Sequence, residues 1–588
     1  MSRYKSYTQK DSQWMLDGDN GWKGIDMLHE PGTVPQGYLC KSENTRLLDG
    51  ACRKRPGTGY PGDFNPGFPN TIVGSGIYSN PNGAEVMLVA TAGATYVWLL
   101  VFGKDPVKIN YSATEISSGR NNGYGAVEFV QSFDKVLLLR RPFQSGQTDL
   151  YWDGDITHTW QTVTLSAEGL NLIPWTWHGE PFQDRVLLYS AYLGTRDARD
   201  SLFMTDVNDY SSYDKAIATF RINSGEADLI TRVMGYFKGA AIIFMYKSVH
   251  MLENFTIDPM LTSQRVLSPR LGSAANKMPL LIGQEVYFAS EPGGIYALSE
   301  VQTESISVEP LPVSLKIDPV IRRINWPTLH AYGCSNKLGP YAFFAVPLGT
   351  VTNGNNAILV LNTTTREWEA APDWWNDDSF RIHALHVTLY NGVRTLFGVD
   401  YVGAKVYVLY QGIEDEINGD SIPVPYLMET RGYVAGDPAG FKRFQRAIIG
   451  VSTYDPAAQV TSITDGYNEE KELGEITKDR SRFYVHGHKA FDPSMDDPTE
   501  PKREDYATID ESRFAAEDFE ALPDGPLPFI PPTPLVFNGV MQQSLERFRI
   551  RQNGRWSKIR VENDSGICDV IGVGVEAIPA QETLKVVA

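Results

Sequence analysis

The feature that most constrains the fold of this 588-residue chain is a strand–turn–strand unit that recurs along residues 71–425. Each unit is a short β-branched or aromatic run, a Gly/Asp/Asn turn and a second such run. The paired runs are 86–90 with 96–101, 135–139 with 149–152, 185–189 with 201–204, 241–246 with 248–252, 285–289 with 294–298, 341–346 with 357–361, and 394–399 with 405–410. Paired strands at a period of about 40 to 50 residues are the mark of a β-propeller. One such hairpin leaves apolar faces uncovered, so units stack around a centre and ring closure removes long free edges. The fold class expected is all-β, with a propeller of about six to eight blades over 71–425. A β-sandwich or tandem small β-domains is the competing arrangement. Almost no segment carries a 3.6-residue apolar period, so little helix is expected.

The flanks read differently. Residues 1–70 are polar and turn-rich, and Pro61-Gly62, Pro66-Gly67 and Pro69 interrupt pairing at their end. In 426–588, the stretches 429–433, 446–452, 545–550, 558–561 and 570–575 read as strands of a C-terminal β-sandwich-like domain. Between them lies an acidic, Pro-rich excursion over about 463–535 that cannot build a core alone. It is either disordered by itself, pinned against a partner subunit, or a solvated loop.

Composition limits function. Net charge is −18 with pI about 5.1, so the chain as a whole repels nucleic acid. The four cysteines, Cys40, Cys52, Cys334 and Cys568, form no Cys-x-x-Cys pair and read as reduced, buried thiols. The start, Met1 to Tyr7, lacks the apolar core of a signal peptide. The apolar run 96–102 is far too short to span a membrane.

No nucleophile elbow, Walker loop, zinc-protease helix or dinucleotide fingerprint is present. Asp17-Gly-Asp19-Asn-Gly21 lacks the remaining ligands of a calcium loop and reads as a polar turn. His486-Gly-His488 reads as a pair of surface histidines, and His383 and His386 as blade residues. The turns Asn362–Trp368 and Asp155–Trp160 read as hairpins that return an aromatic to the blade interface. A pair of carboxylates across a propeller mouth is the enzymatic option that survives. No residue is assigned a catalytic, cofactor or metal role.

Four stretches resemble the nozzle, or packaged-DNA stabilisation, proteins of short-tailed bacteriophages. The first is the opening motif Pro35-x-Gly37-Tyr38, Asn44, Gly50 and Arg55-Pro56-Gly57. The second is Phe182-Gln-Asp184-Arg185-Val-Leu-Leu, with Asp206–Tyr210 and Gly225–Asp228. The third is Leu271-Gly272-Ser273, with 286–290 and Gly293-Gly-Ile-Tyr296. The fourth is Lys442-Arg-Phe-x-Arg446. The resemblance implies a virion tail protein made in the host cytoplasm. It implies a homo-hexameric ring under the portal and adaptor, near tail fibres or spike, with genomic DNA passing through without sequence recognition. Contact with the host surface would be indirect. Several acidic copies around a channel would keep exiting DNA from sticking.

In the opening motif, Pro35 and Gly37 are expected to set a turn, Asn44 to satisfy backbone groups, and Pro56-Gly57 to form a type II turn. Arg53, Lys54 and Arg55, the most compact basic cluster of an acidic chain, are interface candidates, with Lys442, Arg443 and Arg446. A solvated strand end is the other reading of the first cluster. The alternative functions are a propeller enzyme cleaving surface polysaccharide and a receptor-binding tail-tip propeller.

Overall fold

The computed structural model describes residues 13–476 and 544–579, apart from 19–20, 112–126, 141–149, 163–174 and shorter loop stretches. The acidic excursion beyond 476 and the His486/His488 pair lie outside the described residues, as do Asp19 and Asn20. The described chain is all-β in class with little helix, and none of its helices is long and apolar enough to cross a membrane.

The chain forms two compact units. The first to be considered spans Pro56–Gln411 with Asp415–Ile422 and is a β-propeller of seven blades. Six blades are four-stranded antiparallel meanders, at 72–110, 127–162, 175–221, 230–268, 280–308 and 334–374. The seventh has five strands within 384–423, and the short strand Thr58–Gly59 inserts among them as a sixth. The seven strand pairs read from the sequence are the second and third strands of these blades. Those strands are buried on both faces, as in Lys135–Arg140 and Tyr341–Val346, so they read as continuous apolar runs.

Polar contacts join neighbouring blades all round the ring. Tyr78 donates to Asp134 O between blades one and two at 3.1 Å, and Arg232 to Glu180 between blades four and three at 2.8 Å. Tyr236 donates to Gln284 O, Lys337 to Leu281 O and Asn336 to Leu385 O across the later interfaces. The ring closes where Ile72 N donates to Tyr401 O at 2.9 Å. Thr58–Gly59 clips the last blade from ahead of the first, and Trp375 Nε1 donates to Thr58 Oγ1 at 2.8 Å. The two predicted hairpins do return an aromatic inward. Trp368 and Trp160 are fully buried, the latter 5.9 Å from Trp152 between ring centroids.

The second unit comprises Met1–Arg55, Gly412–Glu414 and Pro423–Ala588. The segment 1–70 is therefore not a separate domain, and this corrects the sequence-based division. Residues up to 55 belong with the C-terminal strands, and those from 56 belong to the propeller. The reason is strand pairing over very long sequence separation. Gln13–Asp17 pairs with Ile567–Pro579, and Tyr38–Glu43 pairs with Tyr426–Thr430. Two six-stranded sheets result. One holds Gln13–Asp17, Thr45–Leu48, Ala51–Lys54, Lys442–Tyr454, Ser544–Gly554 and Ile567–Pro579. The other holds Gly24–Ile25, Tyr38–Glu43, Tyr426–Thr430, Ala458–Thr464, Glu470–Ile476 and Ser557–Asn563. Their inner faces share one core that includes Phe444, Ile449, Val460, Ile550, Val561 and Val575.

Candidate functional site

The opening motif builds the sandwich. Tyr38 N donates to Pro35 O at 3.3 Å, with Gly37 at φ +85, the left-handed geometry that the third residue of a type II turn needs. Asp49 and Gly50 both have positive φ and join Thr45–Leu48 to Ala51–Lys54 by a two-residue hairpin. Asn44 is buried at φ +55. Its Oδ1 accepts from Arg55 Nε and its carbonyl from Arg55 N, each at 2.8 Å. Gly57 is not in the left-handed region, so Pro56-Gly57 is not the expected type II turn. Instead Gly57 O accepts from Gln411 N at 2.8 Å and holds the clip on the last blade.

The basic cluster is not a docking motif as a whole. Arg55 is 1% exposed and bound to Asn44, and Lys54 is buried with its Nζ donating to Asn563 Oδ1 at 2.9 Å. Both charges are buried: Lys54 ends the strand Ala51–Lys54, and Arg55 lies just past it. Arg53 alone is half-exposed, and it pairs with Asp49 at 3.1 Å and Asp569 at 3.6 Å. Burial pushes the Asp569 carboxyl up to about 6 against the pull of Arg53. Lys442 is likewise buried, donating to Arg555 O.

Arg443 and Arg446 are exposed, and the fold places them with arginines that the sequence reading did not single out. In Lys442–Tyr454, core residues Phe444, Ala447, Ile449 and Val451 alternate with outward Arg443, Arg446 and Ile448. In Ser544–Gly554, inward Phe548 and Ile550 alternate with outward Arg547, Arg549 and Arg551, all exposed. The register sets Arg446 directly opposite Arg549, and Ile448 opposite Arg547. Like charges at that separation repel across an antiparallel pair. Among the described residues, one carboxylate lies in the patch. Glu576, on the next strand, is 3.4 Å from Arg446. Arg443, Arg547, Arg549 and Arg551 make no ion pair among the described residues. Beyond Glu576, Trp14 and Leu16 project from the edge strand over Gly574, 41% and 51% exposed. The outer face of this sheet is thus arginine-rich on one side and apolar on the other.

A second charged cluster lines the propeller axis. It is built from the first strands of several blades, with Asn276, Lys277 and Tyr401 supplied by connecting segments. His178 Nδ1 bonds Glu128, and Asn276 Nδ2 lies 2.9 Å from the same nitrogen. Arg232 reaches Glu180 at 2.8 Å and Glu128 at 4.0 Å. Lys277 donates to Tyr401 OH at 3.2 Å, and Ser75 Oγ bridges Tyr401 OH and His386 Nε2. Burial pushes Glu180 up despite Arg232, whereas at Glu128 His178 and Arg232 outweigh burial and hold the carboxyl low. Burial, with Lys277 nearby, takes His386 down to about 3. Each axial carboxylate is engaged by a cation, which makes the cluster a charge-compensated centre for the blades. His383 and His386 are blade residues, as read from the sequence. His383 Nδ1 accepts from Tyr401 N at 3.1 Å, and its Nε2 lies 3.0 Å from Asn353 O.

Among known proteins, no family model and no curated protein matches this chain. Similar solved structures include virginiamycin B lyase from Staphylococcus aureus, at 9% identity and TM-score 0.37, covering 59% of this chain and 96% of that one. The extracellular domain BT4673 from B. thetaiotaomicron matches at 8% identity and TM-score 0.38, covering 76% and 59%. A puromycin hydrolase matches at 9% identity and TM-score 0.32, covering 71% and 57%. These likenesses are too distant to bear on activity, and the architecture rests on the strand pairing itself.

Proposed function

We propose that this chain is a structural subunit of a short phage tail. In this reading, copies form a nozzle ring that extends the portal and adaptor channel, retains packaged DNA and conducts it out on infection. The observation that carries the proposal is the arginine face. One sheet surface presents Arg443, Arg446, Arg547, Arg549 and Arg551 beside exposed Trp14, on a chain whose net charge is −18. Exposed Arg and Trp on a rigid face suit a protein partner, since these types carry interface energy out of proportion to their number. The sandwich that bears this face is assembled from two of the stretches that resemble nozzle proteins, the opening motif and Lys442–Arg446. In the axial cluster, the carboxylates a polysaccharide-cleaving reading would use are held by His178 and Arg232.

Electron microscopy of assembled particles tests the proposal. Density for this chain is expected as a closed ring below the portal. A purified protein that neither assembles nor binds portal–adaptor complexes would overturn it. So would polysaccharide cleavage lost in Glu128→Gln or Glu180→Gln while the fold is retained.

A further inference from the structure

The sandwich has a second outer face, and its charge is opposite. On the sheet that carries Glu470–Ile476, the register puts Glu470, Glu472 and Glu475 on the side away from the core, in line with Glu562 of Ser557–Asn563. Glu470, Glu472 and Glu475 are exposed. The cations on that side are Lys558 and Arg560, only 15% and 21% exposed and bound to the buried Glu429, and Lys41, 35% exposed and paired with Glu43 at 2.8 Å. Glu470 also pairs with Arg560 at 3.0 Å. What this face shows to its surroundings is therefore mostly carboxylate. Among the described residues, the strand Glu470–Ile476 is also the last strand of its sheet.

We infer that copies of this chain pack front to back through the sandwich, the arginine face of one copy against the glutamate face of the next. The inference rests on the ring reading above and names the surfaces that make the ring. Three observations point to a second copy. First, the two faces are opposite sides of one compact unit, and complementary patches at different places on one molecule give heterologous contacts, which close into rings or run on as filaments. Second, Arg446 and Arg549 repel each other across the strand pair within one chain, and a row of carboxylates from outside removes that penalty. Third, all five cations of the basic face are arginine, flanked by Trp14, Leu16 and Ile448. Arginine forks pair with carboxylates in two-point fashion and are favoured at protein interfaces, where lysine is depleted.

The test uses the full chain and mass photometry across protein concentration and salt. Wild type is expected to self-associate, less so as salt rises. Arg547→Glu with Arg549→Glu is expected to weaken self-association about 100-fold, as is Glu472→Arg with Glu475→Arg. All four side chains are exposed, so circular dichroism and melting should match wild type. Mixing the two variants should restore assembly, because each then meets its opposite charge. If wild type assembles and both variants assemble equally well, the front-to-back contact is wrong while the ring reading stands. If the arginine variant assembles normally but loses salt-dependent binding of a short DNA duplex, the face serves phosphates and the inference fails. If wild type never assembles, alone or on portal–adaptor complexes, the ring reading fails with it.

Discussion

Replacing Arg232 with Met would test whether the propeller is held at its axis by compensated charge. The guanidinium lies 2.8 Å from Glu180 and 4.0 Å from Glu128, and the three side chains are 23%, 18% and 16% exposed. Methionine fills similar volume but leaves Glu180 without a cation. Burial already pushes the Glu180 carboxyl up with the arginine present, so without it the group must take a proton or remain charged at high cost. Removing one partner of a buried ion pair costs about 3–5 kcal/mol. The propeller unit has about 360 residues, and at about 2.1 cal/mol/K of unfolding entropy per residue this loss lowers its melting temperature by about 4–7 °C. Scanning calorimetry of the full chain reads the shift. A pH signature accompanies it. With its pKa raised further in the variant, Glu180 takes up its proton as pH falls, so the deficit is largest at neutral pH and shrinks under mild acid. Arg232→Met combined with Glu180→Gln should recover much of the loss. A single variant that melts within about 1 °C of wild type would refute the reasoning, since it would place the cost of the unpaired carboxylate below about 1 kcal/mol. Failure of Glu180→Gln to rescue would refute it equally.

His383 sets a second expectation. Burial takes its pKa down to about 3 from the ordinary 6.5, with Lys277 and Arg381 adding to the effect against the Asn353 hydrogen bond. The unfolded chain takes a proton that the folded chain refuses, so stability from this group is complete above about 6.5 and drains as pH falls toward 3, by about 1.4 kcal/mol at one pH unit below 6.5. Asp400, pushed up to about 6 by burial and 3.5 Å from His383, opposes the trend. The difference between wild type and His383→Gln isolates the histidine: the urea midpoint of wild type should fall more steeply between pH 7.5 and 5.5, and parallel slopes would count against the assignment. In the sandwich, Arg55→Ala removes a buried cation bound to Asn44 and should destabilise that unit by about 2–4 kcal/mol, with faster amide exchange along 45–54. Wild-type exchange in that variant would show that Arg55 is not a structural charge.

The sequence showed the middle of each blade and hid its rims, for a physical reason. Second and third strands such as Ala241–Met245 lie between two packed faces and are apolar throughout. The innermost strands carry what the axis needs, including Glu128, His178, Glu180 and Arg232, and so they do not read as core. Outer strands such as Gln161–Thr162 are too short and exposed to signal at all. The two-unit division was hidden by distance along the chain, because nothing in Gln13–Asp17 announces a partner beyond residue 560. The arginine face was only half concealed. The run Arg547-Phe-Arg-Ile550 alternates with period two, which alone puts Arg547 and Arg549 on one side of a strand. What the sequence withheld was the neighbour, the register that sets Arg446 against Arg549 and turns two unremarkable strands into one charged surface. The compact cluster Arg53-Lys54-Arg55 misleads for the complementary reason. Consecutive strand residues point to opposite faces, so three adjacent cations cannot share one surface, whereas cations at every second position can. In a β protein, a patch able to bind a partner is therefore better sought in alternate positions of adjacent strands than in contiguous runs, and by that criterion 443–448 with 547–551 outranks 53–55.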